Sequence, residues 1–187
     1  MSTKTDMITR AQVGLSYSGE LTEAMTILAR HPDTLFLGQS VGFPGSAIYK
    51  TLVNVPSEKK IELPVAEDMQ MGISIGLSLA GFIPISIFPR FDFLLLAVNQ
   101  LVNHLDKTEE MSNGRWTPKV IIRTGVGSKE PLYPGPQHCQ DYTIAFRHLL
   151  QRVNIIKIWK AEQIISCYTH ALQSHGSTLL IELGGEK

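Results

Sequence analysis

Leu35-Phe-Leu37, Ile83 to Phe88, Lys119 to Arg123, Ile155 to Ile158 and Thr178 to Glu182 are short runs, apolar nearly throughout, separated by segments of helical periodicity. Strands without a polar face belong in a parallel sheet covered by helices on both sides, because a strand facing water would alternate apolar and polar residues. The chain is therefore expected to be α/β, a doubly wound, mainly parallel sheet with helices on both faces. The intervening helices can be read from spacing and caps. Ser18 is placed to cap a helix carrying Leu21, Met25 and Leu28 that ends near His31-Pro32. A glycine- and proline-bearing loop from Gly42 to about Pro64 holds a short helix around Ala47 to Leu52. A helix runs from Glu67 to about Leu79, and Asp92 precedes a long one with Leu94, Val98, Leu101 and Leu105 on one stripe. Asp141 opens another with Ile144, Ala145, His148 and Leu149, and residues 161–174 form the last.

A chain of 187 residues is long enough to bury about 70% of its unfolded surface without staples. No repeat, low-complexity tract or linker divides it, so residues 1–187 are expected to form one domain. Seventeen basic residues balance seventeen acidic ones, which removes the electrostatic case for nucleic acid or an anionic membrane surface. Cys139 and Cys167 form neither a CxxC pair nor a zinc-ligand spacing. Residues 1–12 lack the apolar core of a signal peptide, and the expected location is cytoplasmic. Met69 to Phe88 is free of formal charge over a length that would cross a bilayer. Its glycines, serines and Pro84 instead read as a buried helix followed by a buried strand. With only 18% charged residues, apolar surface is left over, which points to a partner.

In doubly wound sheets ligands bind beyond the carboxyl ends of the strands. That directs attention to Gly38-Gln39-Ser40, to Arg90 to Phe93, and to the long polar connection from Thr124 to Gln140. Neither GxGxxG nor GxxxxGK[ST] occurs, and Gly125-Val-Gly127 alone is a weak phosphate signal. A GDG segment with a downstream asparagine, the pattern that holds a metal-bound diphosphate, is missing too, and no cluster has metal-ligand spacing. His138 and Cys139 are neighbours in sequence, where side chains diverge, so they do not make a cysteine nucleophile and base. Glu67, in Leu63-Pro-Val-Ala-Glu67-Asp68 ahead of an uncharged helix, has two readings. It is a helix-start carboxylate complementing the dipole, or a buried acid that shares a proton with a ligand. Gly72 and Gly76 allow close approach of another element. Phe91 and Phe93 are core residues or a platform for a flat ring, and His138 lies in a loop where a functional role competes with packing.

Taken in order, several of these segments resemble the pyrimidine-binding domain of thiamine-diphosphate enzymes. They are Leu37-Gly-Gln-Ser-Val-Gly42, Glu62-Leu-Pro-Val-Ala-Glu67 with its glycine-bearing helix, Gly81-Phe-Ile-Pro84, Arg90-Phe-Asp-Phe93 with Asn99-Gln100-Leu-Val-Asn103, Met111-Ser-Asn-Gly114, and Gln137-His138-Cys-Gln140. The chain is most similar to the beta subunit of the 2-oxoacid (pyruvate) dehydrogenase decarboxylase component and, more distantly, to the central domain of transketolase. The resemblance runs from about residue 20 to 183, and its specificity lies in the ordered set rather than in any one motif. It implies that Glu67 matches the glutamate that hydrogen-bonds a ring nitrogen of the cofactor's aminopyrimidine, favouring the imino tautomer that removes the thiazolium proton. It implies that Phe93 matches the aromatic residue stacked on the pyrimidine, with Phe91 and Gln39 beside the cofactor. His138 matches a histidine that handles protons or contacts the substrate acyl group.

The resemblance also implies a split enzyme. Its beta-like subunit would act on 2-oxo acids, by decarboxylation and acyl or aldehyde transfer, with a separate alpha-like, diphosphate-binding subunit that carries Mg2+, as an α2β2 assembly. Ketol transfer of the transketolase type and a non-catalytic scaffold subunit are the alternatives. A self-sufficient nucleotide-binding domain would need a phosphate loop, and none is visible. Three departures from the family stand out: its strand-end acid pair is Gln39-Ser40 here, a glutamine shortly after the stacking phenylalanine is Leu96, and its further carboxy-terminal domain is not represented.

Overall fold

The computed structural model describes residues 16–131 and 133–183, so the readings made on residues 1–12 and 184–187 lie outside the described residues. Its organising element is a six-stranded sheet in which every pairing is parallel. In chain order it comprises α1 (Tyr17–Ala29), β1 (Thr34–Gly38), α2 (Ala47–Thr51), β2 (Lys60–Glu62), α3 (Glu67–Leu79), β3 (Ile83–Phe88), α4 (Phe91–Leu94), α5 (Thr108–Met111), β4 (Ile121–Val126), α6 (Thr143–Leu149), β5 (Asn154–Ile158), α7 (Ala161–Gln173) and β6 (Thr178–Leu183). The strand order is β2-β1-β3-β4-β6-β5. The chain winds outward from β1 to β2 and then returns to the other side of β1 to lay down β3. The direction of winding reverses between β1 and β3, and there the strand ends open a crevice.

The pleat sends successive side chains to opposite faces, and each face has its own core. Phe36, Ile85, Ile87, Ile121, Ile158 and Leu180 pack beneath α1 and α7 with Met25, Leu28, Ile164 and Tyr168. Phe88, Ile122, Leu179 and Ile181 pack on the other side with Met71 and Ile75 of α3, Phe91, Leu101, and Phe146 of α6. Both faces being dry explains why the strands read as unbroken apolar runs. The uncharged stretch from Met69 to Phe88 is most of α3 followed by β3, and no helix among the described residues is long and apolar enough to cross a membrane.

Several local expectations are corrected. Ser16, not Ser18, caps α1: its hydroxyl accepts from the Gly19 amide at 3.1 Å. The Gly42–Pro64 connection contains a strand, β2, whose three residues are half-buried or exposed at the sheet edge and so carry no apolar signature. The long helix after Asp92 is broken into α4, a 3-10 turn at Leu95–Ala97, a π-helix at Gln100–Leu105 and α5. The wide π turn, with the Asp106 amide donating to Leu101 at 3.0 Å, keeps Leu94, Ala97, Leu101 and Leu105 all buried where a regular helix would rotate them apart. On α6 the buried residues are Thr143 and Phe146, followed by Leu150. Ile144, expected on the buried stripe, is 74% exposed. Lys119 lies just before β4 rather than in it, and its ammonium donates to the Leu172 and Ser174 carbonyls at the carboxyl end of α7, where the helix dipole favours a cation.

At the amino end of the sheet one fully buried carboxylate closes a turn. Asp106 Oδ1 accepts from the amides of Gln151, Arg152 and Val153 at 3.0, 2.8 and 3.0 Å. Burial alone would raise its pKa, but these amides and Lys107 outweigh it and hold the carboxyl below its usual value. A depressed carboxyl pKa contributes stability that is present above about pH 4, the unfolded value, and disappears as pH falls through the folded one. Asp106→Asn should therefore lose about 1–3 kcal/mol near neutrality. Its unfolding free energy should also fall less steeply between about pH 4 and pH 2 than that of the parent, as measured by denaturant titration at each pH.

Candidate active site

The site is built from the crevice between β1 and β3. At the end of β1 the chain enters a tight turn in which Gly38 has φ 149° and Ser40 φ 68°. Glu62, at the end of the neighbouring β2, closes this turn: its two carboxylate oxygens accept from the Ser40 and Gly42 amides at 2.7 and 2.6 Å. The acids common at the end of β1 in the resembling family are thus answered here by an acid on the next strand. Gln39 sits half-buried in the turn so formed.

Five residues beyond Glu62 the chain begins α3. Ala66 at its N-cap offers no side-chain acceptor, and Glu67 and Asp68 complement the positive end of the dipole. The bland reading of this pair therefore holds in part, but the two acids do different things. Asp68 is exposed and accepts from Gln100 Nε2 at 3.4 Å, linking α3 to the π-helix. Glu67 is only 8% exposed, and no hydrogen bond to its carboxylate is made by the described residues. What turns it inward is Gln70, one helical turn later on the same face. The Gln70 carboxamide is buried and donates to Ser86 Oγ at 3.1 Å, to the Ile87 carbonyl at 3.0 Å and, at the limit of bonding, to the Leu37 carbonyl at 3.5 Å.

Phe91 and Phe93 part company immediately after β3. Phe91 is 0% exposed and packs edge-on against Tyr142 and tilted against Phe146, with centroids 5.6 and 5.0 Å away. Its ring is consumed by the core and presents no face to a ligand, which corrects its assignment beside a cofactor. Phe93 is half-buried and meets the imidazole of His138 edge-to-face at 5.5 Å. The histidine's Nδ1 is buried without a hydrogen-bond partner. Leu96, at the position of the family's glutamine, is 63% exposed. Glu67 and the Phe93–His138 pair thus stand at the same end of the sheet and on the same face, on α3, α4 and the β4–α6 connection. Among the described residues no hydrogen bond joins Glu67 to the pair.

Three positioning residues were not singled out from the sequence. Gln70 and Glu62 carry no motif; their partners are distant in sequence and become visible only when β1, β2 and β3 are side by side. Gly127 was noted only as half of a weak phosphate signal. Its function is steric: a Cβ there would lie 2.1 Å from the His138 carbonyl oxygen and 3.4 Å from Arg90 Nε. The long β4–α6 connection folds back across this glycine, and the Gln140 amide reaches Asp92 Oδ2 at 3.4 Å, tying it to α4. No group of acidic residues, histidines and cysteines that could hold a metal occurs among the described residues. Gly127→Ala should displace the His138 turn and cost about 1–3 kcal/mol of stability. Amide hydrogen exchange should quicken locally over residues 128–140 while the strands keep their protection; unchanged protection of that loop would contradict the steric role.

No family model matches the chain. In sequence it is similar to the mitochondrial pyruvate dehydrogenase E1 component subunit beta of Caenorhabditis elegans, with 31% identity over 144 residues, 75% of this chain and 40% of that protein. The corresponding subunit of Chaetomium thermophilum is 27% identical over 158 residues, 83% of this chain and 41% of that protein. That of Homo sapiens is 25% identical over 122 residues, 65% of this chain and 33% of that protein. The chain thus spans about a third to two fifths of the length of the curated relatives it matches. In fold it is similar to a chain described as a split gene transketolase, inactive beta4 tetramer, with a TM-score of 0.72 and 18% identity over 93% of this chain and 53% of that one. In sequence and in its all-parallel doubly wound fold, the chain is similar to beta subunits of the pyruvate dehydrogenase E1 component and to the pyrimidine-binding domain of thiamine-diphosphate enzymes.

Proposed function

We propose that this chain is the pyrimidine-binding, beta-like subunit of a split thiamine-diphosphate enzyme. It would activate the cofactor for 2-oxo acid decarboxylation and acyl or aldehyde transfer, together with a separate alpha-like subunit that binds the diphosphate and its Mg2+. The observation that carries this reading is Glu67: a buried carboxylate at the start of α3, held inward through Gln70 and left without a protein hydrogen-bond partner. A buried carboxylate in that state is costly unless something else bonds it, and a ring nitrogen of an aminopyrimidine meets that need. Within a dry pocket such a bond is strong enough to shift the proton distribution on the ring, which it would not do in water.

The other residues fit the same group. Phe93 has a half-exposed ring next to the histidine, and the buried, unpartnered Nδ1 of His138 is available to take or return a proton. Gln39 lies at the mouth of the crevice in the turn that Glu62 closes. When bound, thiamine diphosphate would supply the nucleophilic carbon that attacks a 2-oxo acid or ketose carbonyl; this chain would hold the pyrimidine, keep a proton at Glu67 and move one at His138. Around the crevice Val65, Met69, Leu95 and Leu96 are large apolar side chains left exposed. They support an alpha-like partner, in an α2β2 assembly in the cytoplasm, as the surface that completes and dries the site. On this reading the chain is one domain of the enzyme, the pyrimidine-binding one, and it is inactive alone.

A second reading, ketol transfer, draws on the fold likeness to a split transketolase. Assays of the assembled complex with 2-oxo acids and with ketose phosphates separate the two. In the complex reconstituted with a subunit carrying a GDG diphosphate site, Glu67→Gln should lower turnover by about a hundredfold or more with little change in thermal midpoint. Full activity of that variant would refute the catalytic assignment. Calorimetry with thiamine diphosphate on the parent complex tests the non-catalytic alternative, since a scaffold subunit would contribute no binding at this interface.

A further inference from the structure

On the face of the sheet opposite α3, a cavity of about 600 Å3 opens between α1, α2 and the carboxyl ends of β3, β4 and β6. That volume is in the range of small-molecule sites. Its floor is charged yet internally balanced. Arg123 pairs with Glu182 across the β4–β6 ladder through Nε at 2.8 Å and Nη2 at 3.4 Å, and its Nη1 donates to Thr51 at 2.8 Å. Burial alone would depress the guanidinium, but the Glu182 carboxylate outweighs it and keeps it charged. The floor therefore has no ionic demand left over.

Two hydroxyls lining the same cavity are in the opposite state. Thr124 is 1% exposed and its Oγ1 has no hydrogen-bond partner, and the Tyr17 hydroxyl is likewise buried and unpartnered. Buried polar atoms are nearly always bonded, and two orphans facing one cavity call for an explanation. Burial, and then the nearby Glu182 carboxylate, push the Tyr17 phenol well above the ordinary tyrosine range, so it stays neutral and is suited to a hydroxyl or carbonyl rather than to a second anion. At the mouth, the half-buried Arg90 donates through Nη1 only to its own neighbour's carbonyl, Pro89, at 3.2 Å. No carboxylate among the described residues lies within ion-pair reach of it. Leu21, Ile48, Phe88 and Val126 supply apolar wall between these polar points.

We propose that this cavity binds a small hydroxylated organic anion, its carboxylate or phosphate against Arg90 and its hydroxyl groups on Tyr17 and Thr124. The inference does not rest on the cofactor reading: α1, α2 and Arg123 frame this cavity, whereas Glu67, Phe93 and His138 belong to the other face.

Calorimetry and thermal melts of the full chain without thiamine diphosphate test it, using D-ribose 5-phosphate and D-gluconate as probes and inorganic phosphate and glycerol as half-ligands. At least one hydroxylated anion should bind measurably and more tightly than either half-ligand; the preferred probe identifies phosphate or carboxylate as the acid. Tyr17→Phe and Thr124→Val should each weaken that binding about tenfold, the loss of one hydrogen bond to a bound ligand. Both should leave the unliganded thermal midpoint equal to or above that of the parent, because each removes an unsatisfied buried hydroxyl. Arg90→Gln should weaken the anion and leave the response to glycerol unchanged. The proposal is overturned if neither hydroxylated anion binds, if inorganic phosphate binds as tightly as ribose 5-phosphate, or if the two hydroxyl deletions leave affinity intact. It is also overturned if both deletions lower the unliganded midpoint, since the hydroxyls would then already be serving the fold.

Discussion

Where two parallel strands end side by side, their last carbonyls have no further strand to bond, and in a sheet covered on both faces there is little water to replace it. At the β1–β3 switch a single carboxamide meets this need. Gln70 donates to Ser86 and to the Ile87 carbonyl, with Leu37 at the edge of its reach. It requires the strands to be as close as they are, and a side chain at Gly38 would forbid it: a Cβ there would lie 2.3 Å from the Ile87 oxygen and 3.2 Å from Gln70 Nε2. The glycine lets the strands and helix meet; the glutamine then fixes the first turn of α3. Because residues three apart share a helix face, Glu67 is carried into the crevice by the same bond.

The two faces of the sheet are stabilised by different chemistry. Beneath α3 and α6 the contacts are chiefly aliphatic and aromatic, and the polar groups that enter that face, Gln70 and Ser86, bond each other. Beneath α1, α2 and α7 a buried ion pair stands among apolar side chains, with Tyr168 donating to Glu182 and Thr51 accepting from Arg123. Desolvating such a pair offsets much of its attraction, so it adds little net stability over a well-packed apolar pair, but loss of either partner would leave a buried charge costing about 3–5 kcal/mol. The pair locks β4 to β6 and, through Tyr168 and Thr51, draws α7 and α2 onto the strands. Two polar systems, one on each face, thus shape the same carboxyl end of the sheet.

The architecture was largely legible from local signals. Strands buried on both faces reveal themselves as apolar runs, and the α3 boundaries follow from adjacent acids before an uncharged helix; the observed Glu67–Leu79 matches that reading. Edge strand β2 was not legible, because half-exposed residues carry no burial pattern. The stripe assigned to α6 failed because helical spacing defines two candidate faces there and only packing chooses between them; Phe146 won over Ile144. For the site, residue type alone could not divide Phe91 from Phe93, since the two are chemically identical and lie on one short helix.

By itself, the amino-acid sequence determined the layer architecture, the likeness to thiamine-diphosphate enzymes and the loops in which chemistry would gather. Each of those depends on periodicity, composition or ordered short motifs, which are local properties. Only the tertiary structure decided that Glu67 is buried while Asp68 is not, that Gly127 makes room for the His138 turn, that Glu62 closes the turn after β1, and that Arg123 is matched by Glu182. These outcomes join residues from 1 to 59 positions apart, and they depend on which side of a helix faces inward and which strand ends lie adjacent. Periodicity limits those choices, but only the packing of strands and helices against one another makes them.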